Sequence, residues 1–114
     1  RLAPDNTETH GLLQIDATVT YGLGVRSLSF TSGQRQDASN PYNTYVHPGL
    51  PPGPIGMPSD AAVEAALDPA ETDAYYWVTT DIGTGHTEFS RTYEEHQQHV
   101  RTLQRYCASN PGVC

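Results

Sequence analysis

The clearest hydrophobic pattern in the chain lies in its last third. Residues 74–80 are aromatic or β-branched almost throughout, which predicts a β-strand. A turn with two glycines separates it from a second predicted strand over residues 86–90, so the two strands should form a hairpin. Thr92 and Glu95 then fit a capping box, and apolar residues recur at helical spacing as far as Ala108. The pattern therefore predicts a hairpin followed by one long helix.

The first third of the chain gives a weaker pattern. Residues 1–11 are polar and predict a loop. Asp16 suits an N-cap, with a short helix over residues 17–21 and Gly22 as its C-terminal stop. The β-branched residues in that stretch also allow a strand. Residues 25–40 are mostly polar, which predicts an excursion over the surface.

A further helix is predicted just before the hairpin. Ser59, or Pro58 before it, starts this helix, with an acidic residue in the first turn where the helix dipole favours negative charge. Pro69 ends it, since proline cannot continue a helix. Three apolar residues of this helix share one face: Val63, Ala66 and Leu67.

The segment over residues 41–58 holds six of the nine prolines and three of the ten glycines. This density excludes helix and strand interiors, because proline has a fixed φ and no N–H. Tyr42, Tyr45 and Leu50 supply the packing groups that a disordered linker lacks, so we expect an ordered loop that builds one wall of a binding site. The predicted fold class is α+β: one small mixed domain over residues 1–114, with a β-hairpin flanked by helices and this long Pro/Gly-rich loop.

Composition and charge exclude several classes of function. The net charge is −7, with six arginines and no lysine, so the chain lacks the basic stripe that non-specific nucleic-acid binding needs. No run approaches the roughly 18 apolar residues that a transmembrane helix requires. The five histidines show no metal-ligand spacing and there is no CxxC pair, so we expect no metal. We also expect no cofactor.

Two cysteines, Cys107 and Cys114, stand near the end of the chain. Their spacing would close a small disulfide loop, which an oxidising, extracytoplasmic setting favours. Two free thiols on a frayed terminus are the alternative, and the sequence does not decide between them.

Five motifs in a fixed order resemble the MltG/YceG-like endolytic murein transglycosylases and together cover residues 13 to about 100. The proline segment supplies the most specific of them. The motifs are Leu13-Gln14-x-Asp16-x-Thr18-Val19-x-Tyr21-Gly22; Pro41-Tyr42-Asn43-Thr44-Tyr45 with Gly49-Leu50-Pro51-Pro52-x-Pro54-Ile55; Ala62-x-x-Ala65-Ala66-Leu67-x-Pro69-Ala70; Tyr75-Tyr76-Trp77-Val78; and Gly85-His86-Thr87 followed by Phe89-Ser90-x-Thr92-x-x-Glu95-His96.

The resemblance implies a reaction and a setting. In such enzymes one Glu protonates the bond between N-acetylmuramic acid and N-acetylglucosamine, and the muramic C6 hydroxyl then attacks C1 to give a 1,6-anhydro sugar. The motif that carries this Glu is expected upstream, so no catalytic residue is carried over to this chain. Arg1-Leu2 resembles the end of a family helix, so the chain is expected to be the C-terminal portion of the catalytic domain.

The parent protein is then expected to be anchored in the cell membrane by an N-terminal helix and to act outside it on peptidoglycan glycan strands. Peptidoglycan synthases are candidate partners. Family members are often labelled aminodeoxychorismate lyases, but no lysine is present to hold pyridoxal phosphate.

The resemblance and the residue chemistry together predict a substrate-binding set. Gln14 would bond an acetamido group, Asp16 would position a sugar hydroxyl or orient the catalytic Glu, and His86 would contact substrate or assist proton movement. Simpler roles stay open: an N-cap for Asp16, a turn former for Asn43, and packing for Tyr45. The full predicted set is Gln14, Asp16, Tyr21, Tyr42, Asn43, Thr44 and His86.

Another class of function competes with the enzyme. The alternative is a non-catalytic glycan-binding or scaffold module, inactive by itself, which is favoured for this chain because the motif with the catalytic Glu is not among its residues. A purely structural role would predict no glycan affinity at all.

Overall fold

The protein is described here by a computed structural model covering residues 1–27 and 29–114. It contains four helices and two strands within those ranges, and the α+β class is confirmed. In chain order they are α1 (Asp16–Gly22), α2 (Ser32–Arg35), α3 (Asp60–Leu67), β1 (Tyr76–Asp81), β2 (His86–Ser90) and α4 (Tyr93–Ser109). The chain divides into two compact units, Arg1–Ala70 and Glu71–Cys114.

The second unit is a hairpin packed against a helix, as the sequence pattern predicts. Strands β1 and β2 pair antiparallel, with Trp77 opposite Phe89 and Thr79 opposite Thr87. A register shift follows Thr79, where the strand enters the turn. Helix α4 packs against both strands. The six-residue β1 begins two residues later than predicted, and β2 has the predicted bounds.

Helix α4 begins and ends close to the predicted positions. Its N-cap Thr92 accepts a hydrogen bond from the Glu95 amide, and the Glu95 side chain accepts one from the Thr92 amide, so the predicted capping box is confirmed. The helix ends at Ser109, one residue beyond the predicted Ala108. Cys107 in its last turn forms a disulfide with Cys114, which decides between the two open alternatives.

The first unit is held mainly by polar contacts around α1. Val19 is completely buried in it, together with Thr18 and Thr20 on either side. Among the described residues the buried hydrophobic side chains are only Val19 and, in the second unit, Tyr76. Residues 41–58 contain neither helix nor strand, as expected from their prolines.

The polar stretch over residues 25–40 is not structureless. It contains the single turn of α2, whose N-cap Thr31 forms a capping box with Gln34. Leu28, within the same stretch, lies outside the described residues.

Helix α3 has the predicted start but not the expected packing. Ser59 caps it by accepting a hydrogen bond from the Ala62 amide, as predicted. Its apolar face, however, is not covered: Val63 is 43% exposed and Leu67 82% exposed. Helical periodicity identifies such a face but cannot say what covers it. In the described part of the chain, no helix has the length and apolar character needed to cross a membrane.

Candidate functional site

Two segments of the first unit meet at Thr44. The Gln14 amide donates to the Thr44 carbonyl at 3.0 Å, and the Ile15 amide donates to the Thr44 hydroxyl oxygen at 3.0 Å. That hydroxyl also lies 2.8 Å from the hydroxyl of Thr18. Thr44 is buried, so these bonds are shielded from water and the start of α1 is fixed against the proline segment.

Gln14 has an unusual backbone conformation at this junction. Its φ is 54°, in the left-handed region that non-glycine residues seldom adopt. Besides the bond to Thr44, the Arg1 guanidinium donates to the carbonyls of Leu13 and Gln14. A conformation of this kind persists where surrounding contacts hold it, and such positions cluster at functional sites.

Asp16 is the first helical residue of α1 and not its N-cap, so the N-cap interpretation was wrong. The N-cap is Ile15, and no side-chain bond caps the helix. The exposed carboxylate of Asp16 instead accepts a hydrogen bond from the Tyr45 hydroxyl at 2.5 Å. An exposed carboxylate with a fixed orientation and further acceptor positions can bind hydroxyl groups.

Tyr45 is the residue that fixes this carboxylate. Burial raises the pKa of the Tyr45 phenol well above its usual range, and the hydrogen bond to Asp16 and the negative charge of Asp16 raise it further. The ring is held by neighbours as well, since the Arg35 guanidinium carbon lies 5.2 Å from its centroid and the Phe30 ring 6.2 Å away. Tyr45 therefore remains a neutral hydrogen-bond donor to Asp16.

Tyr21 and Tyr42 bring two aromatic rings together near the same junction. Their centroids are 4.8 Å apart, with the planes tilted by 57°. Tyr21, on α1, is 47% exposed, and Tyr42, in the proline segment, is half-buried. Exposed ring faces of this kind can pack against the apolar face of a sugar ring.

Asn43, which is predicted to contact substrate, lies inside the first unit. It is fully buried, and its amide nitrogen donates to the carbonyls of Gln34, Arg35 and Asp37 at 3.0–3.2 Å. Its amide oxygen accepts from the Tyr45 backbone N–H at 3.0 Å. With these groups engaged and no exposed surface, Asn43 shapes the loop in this structure, and its contact with substrate stays a prediction.

Thr44 is likewise 2% exposed and uses its hydroxyl within the junction, so its contact with substrate also stays a prediction. Tyr45, which is not in the predicted set, contributes to the candidate site by donating a hydrogen bond to the Asp16 carboxylate. The sequence contained one signal for this, since Tyr45 belongs to the same motif as Tyr42 and Asn43. No local pattern could have paired it with Asp16, 29 residues away.

His86 belongs to the second unit. It stands at the start of β2, is exposed, and its Nε2 lies 3.1 Å from a carboxylate oxygen of Glu88. An exposed pair of this kind contributes little to stability. His86 is therefore not among the predicted residues that the first unit brings together, which are Gln14, Asp16, Tyr21, Tyr42, Asn43 and Thr44.

The carboxyl groups whose pKa departs from the ordinary value, Asp37 and Asp81, both favour the ionised form. Hydrogen bonds from the Ser39 side chain and amide lower the pKa of Asp37, and the Thr84 amide does the same for Asp81. Neither carboxyl is suited to donate a proton near neutral pH. Across the described residues, no cluster of three His, Cys, Asp or Glu could hold a metal ion.

Comparison with known proteins supplies the family. A model of the YceG-like family matches residues 1–102. An endolytic murein transglycosylase of Bacillus subtilis is 36% identical over 97 residues, which cover 85% of this chain and 25% of that protein. One from Streptococcus pneumoniae is 34% identical over 92 residues, covering 77% of this chain and 16% of its own.

A crystal structure of a YceG-like protein from Listeria monocytogenes is similar to this structure with a TM-score of 0.68 and 42% identity, over 76% of this chain and 28% of that one. The chain thus spans about a quarter or less of the curated relatives it matches. These matches confirm the resemblance that the five motifs indicate: the chain belongs to the YceG-like family.

Proposed function

We propose that this chain forms part of the glycan-binding surface of an endolytic murein transglycosylase. Its family membership supports the substrate class, because the relatives from Bacillus subtilis and Streptococcus pneumoniae carry that name. The chain would act within a longer protein, with the catalytic Glu on a part outside these residues.

The observation that carries this proposal is the junction between α1 and the proline segment. Asp16 presents a carboxylate whose orientation Tyr45 fixes, and Gln14 lies two residues away in a strained backbone conformation. Buried Asn43 and Thr44 hold the loop beneath them. A site of this kind has rigid supports and exposed polar groups, as a surface that orients a flexible ligand requires.

Each exposed group has a role that its chemistry supports. The Asp16 carboxylate would accept hydrogen bonds from sugar hydroxyls, and the side-chain amide of Gln14 would hydrogen-bond to an acetamido group. Tyr21 and Tyr42 would pack against the apolar face of a pyranose ring. None of these groups breaks the glycosidic bond; they would hold the strand while the catalytic Glu protonates the leaving oxygen.

The setting of the reaction is part of the same proposal. Murein lies outside the cell membrane, so the protein would act there, consistent with the Cys107–Cys114 disulfide that an oxidising environment favours. Anchoring by an N-terminal helix and contact with peptidoglycan synthases are finer proposals, which rest on the family resemblance alone.

A product assay tests the enzymatic part. Uncrosslinked glycan strands would be incubated with this chain alone and with the whole YceG-like protein that contains it, and the products examined by mass spectrometry for 1,6-anhydromuramic ends. We expect such ends only with the whole protein. Anhydro products from this chain alone would refute the assignment of the catalytic acid to another part.

A binding assay tests the site itself. In the whole protein, Asp16→Asn and Tyr42→Ala should each weaken binding of the same glycan strands at least several-fold, measured with the catalytic Glu inactivated. Asp60→Asn is the matched control, because Asp60 is an exposed acid in the first turn of α3. Equal affinity of Asp16→Asn and Asp60→Asn would contradict the proposed site.

A second candidate is a glycan-binding module without catalysis. The carboxylate of Asp16 and the paired rings of Tyr21 and Tyr42 suit glycan binding whether or not the whole protein cleaves the strand. Binding of glycan strands by the whole protein without any anhydro product would favour this module over the enzyme.

A further inference from the structure

The hairpin of the second unit has an apolar face turned away from α4. Alternation along the strands places Tyr76 and Ser90 on the face toward α4, where the Tyr76 ring stacks on His96 at 5.2 Å and the Ser90 hydroxyl oxygen lies 3.0 Å from His99 Nδ1. Trp77 follows Tyr76 and Phe89 precedes Ser90, so the side chains of Trp77 and Phe89 point to the opposite face.

On that outer face the two rings stand directly opposite each other across the strand pair. Trp77 is 46% exposed and Phe89 66% exposed. Next to them along the strands, the Thr79 and Thr87 hydroxyl oxygens lie 3.1 Å apart, so these groups satisfy each other. The outer face thus combines two large apolar surfaces with a polar pair that requires no partner.

The hairpin is supported on one face by α4, because an isolated two-stranded hairpin is marginally stable in water and packing against a helix stabilises it. The pairing on the opposite face points to further packing. A cross-strand aromatic pair is typical of an interior, because large aromatic side chains contribute most when they are buried.

We propose that the outer face defined by Trp77 and Phe89 is an interface that receives an apolar surface from the remainder of the YceG-like polypeptide. This proposal rests on the proposed function only in taking the chain as part of a longer protein. The length outside the match supports the occupant: the matched region is 25% of the Bacillus subtilis relative and 28% of the Listeria monocytogenes structure.

The composition of the face favours a protein surface over a sugar. The outward side chains Trp77, Thr79, Thr87 and Phe89 carry no charge or amide. Their two hydroxyls are paired with each other, and the indole N–H of Trp77 is the one further polar group of these four side chains, so the face offers a sugar few of the convergent polar groups that would orient it. Flat, apolar and rigid surfaces with aromatic residues are instead the usual cores of protein interfaces.

Trp77 is the only tryptophan in the chain, so it reports directly on this face. Its acrylamide quenching and emission maximum would be measured in this chain alone and in the whole protein, in which any other tryptophans are replaced by phenylalanine. We expect a several-fold loss of quenching and a blue shift in the whole protein. Unchanged quenching and emission would overturn the proposal.

Two substitutions separate an interface from a structural role within the hairpin. Phe89→Glu should lower the melting temperature of the whole protein much more than that of this chain, where Phe89 is 66% exposed and only its pairing with Trp77 is lost. Ile82→Glu is the matched control: Ile82 is also apolar and 43% exposed, but it lies in the turn. It should change neither melting temperature.

Each other outcome refutes the proposal in an identifiable way. Equal losses from Phe89→Glu in both proteins would assign Phe89 to the hairpin itself. Protection of Trp77 that depends on the concentration of this chain alone would identify a second copy as the occupant. Protection that appears only when glycan strands are added would identify the substrate. None of these measurements depends on anhydro products, so the proposed function can fail independently.

Discussion

Gly22, the last residue of α1, approaches the side chain of Asn40 more closely than any larger residue would allow. A Cβ atom at position 22 would lie 1.9 Å from Asn40 Oδ1, 2.6 Å from Cγ and 2.7 Å from Nδ2. Gly22→Ala therefore requires the Asn40 amide to move. Asn40 is buried, so that movement is not a free rotation into solvent.

The cost follows from the two hydrogen bonds that Asn40 makes. Its Nδ2 donates to the Val19 carbonyl at 3.0 Å, and its Oδ1 accepts from the Tyr42 backbone N–H at 3.0 Å. Displacing the buried Asn40 amide leaves that amide and the Tyr42 N–H without these partners, at about 1–3 kcal/mol each, whereas the Val19 carbonyl keeps the hydrogen bond from the Leu23 amide. Alanine in place of glycine returns at most about 1 kcal/mol through helix propensity. We expect Gly22→Ala to destabilise the first unit by about 2–4 kcal/mol.

Urea denaturation followed by the amide NMR signals of residues 16–23 would measure this loss, because those signals report on the first unit. Gly33→Ala is the matched control, since its nearest contact would be the Thr31 hydroxyl oxygen at an ordinary 3.8 Å. It should change stability by less than about 1 kcal/mol.

A double-mutant cycle tests the cause. If the clash with Asn40 is responsible, Gly22→Ala should cost almost nothing in an Asn40→Ala background, because the obstructing amide is gone. Additive losses from the two substitutions would refute the reasoning, as would equal stabilities of Gly22→Ala and Gly33→Ala.

Three further predictions concern ionisation and the disulfide. Because the pKa of the Tyr45 phenol is raised, the stability linked to this group is complete below the unfolded value of about 10 and is lost as pH rises through the folded pKa. Asp16→Asn should lower that pKa in an NMR titration of the ring. An unchanged pKa would contradict the hydrogen bond from Tyr45 to Asp16. Because the pKa of Asp81 is lowered, the stability linked to it is present above the unfolded pKa of about 3.9 and is lost as pH falls through the folded pKa. Asp81→Asn should remove this loss of stability in acid, measured as protection of the turn amides from hydrogen exchange. Replacing Cys107 and Cys114 by alanine should lower the unfolding free energy of the second unit by at most about 2–3 kcal/mol, because the loop that they close is short. Urea denaturation followed by tryptophan fluorescence measures this loss, and a larger value would indicate contacts beyond loop closure.

The elements that the sequence predicts well are those with local causes. The strand pair and α4 follow from side-chain alternation, a glycine turn and a capping box, all within a few residues of one another. Ser59 fixes the start of α3 for the same reason. The covering of α3 could not be predicted, because the hydrophobic face of a helix does not identify its partner.

The candidate site was predicted only in part because its decisive contacts are distant in sequence. Asp16 satisfies every local criterion for an N-cap, yet its carboxylate bonds to Tyr45 instead. Asn43 carries a side-chain amide of the kind that binds sugars. In the structure that amide donates hydrogen bonds to backbone carbonyls within residues 34–37, a contact that no local pattern shows. Residue types therefore indicated which segments carry polar and aromatic groups but not which of those side chains bond to one another.

The first unit shows how a loop can be rigid without regular secondary structure or a large apolar core. Its one fully buried hydrophobic side chain among the described residues is Val19, whereas Asn40, Asn43 and Thr44 are buried and bonded to backbone groups on other segments. Directional bonds of this kind define one geometry, while apolar contacts tolerate several. Because prolines restrict the chain between those anchors, half-buried Tyr42 and the Asp16–Tyr45 pair keep fixed positions. That is the property a surface needs in order to orient a glycan strand that has many rotatable bonds of its own.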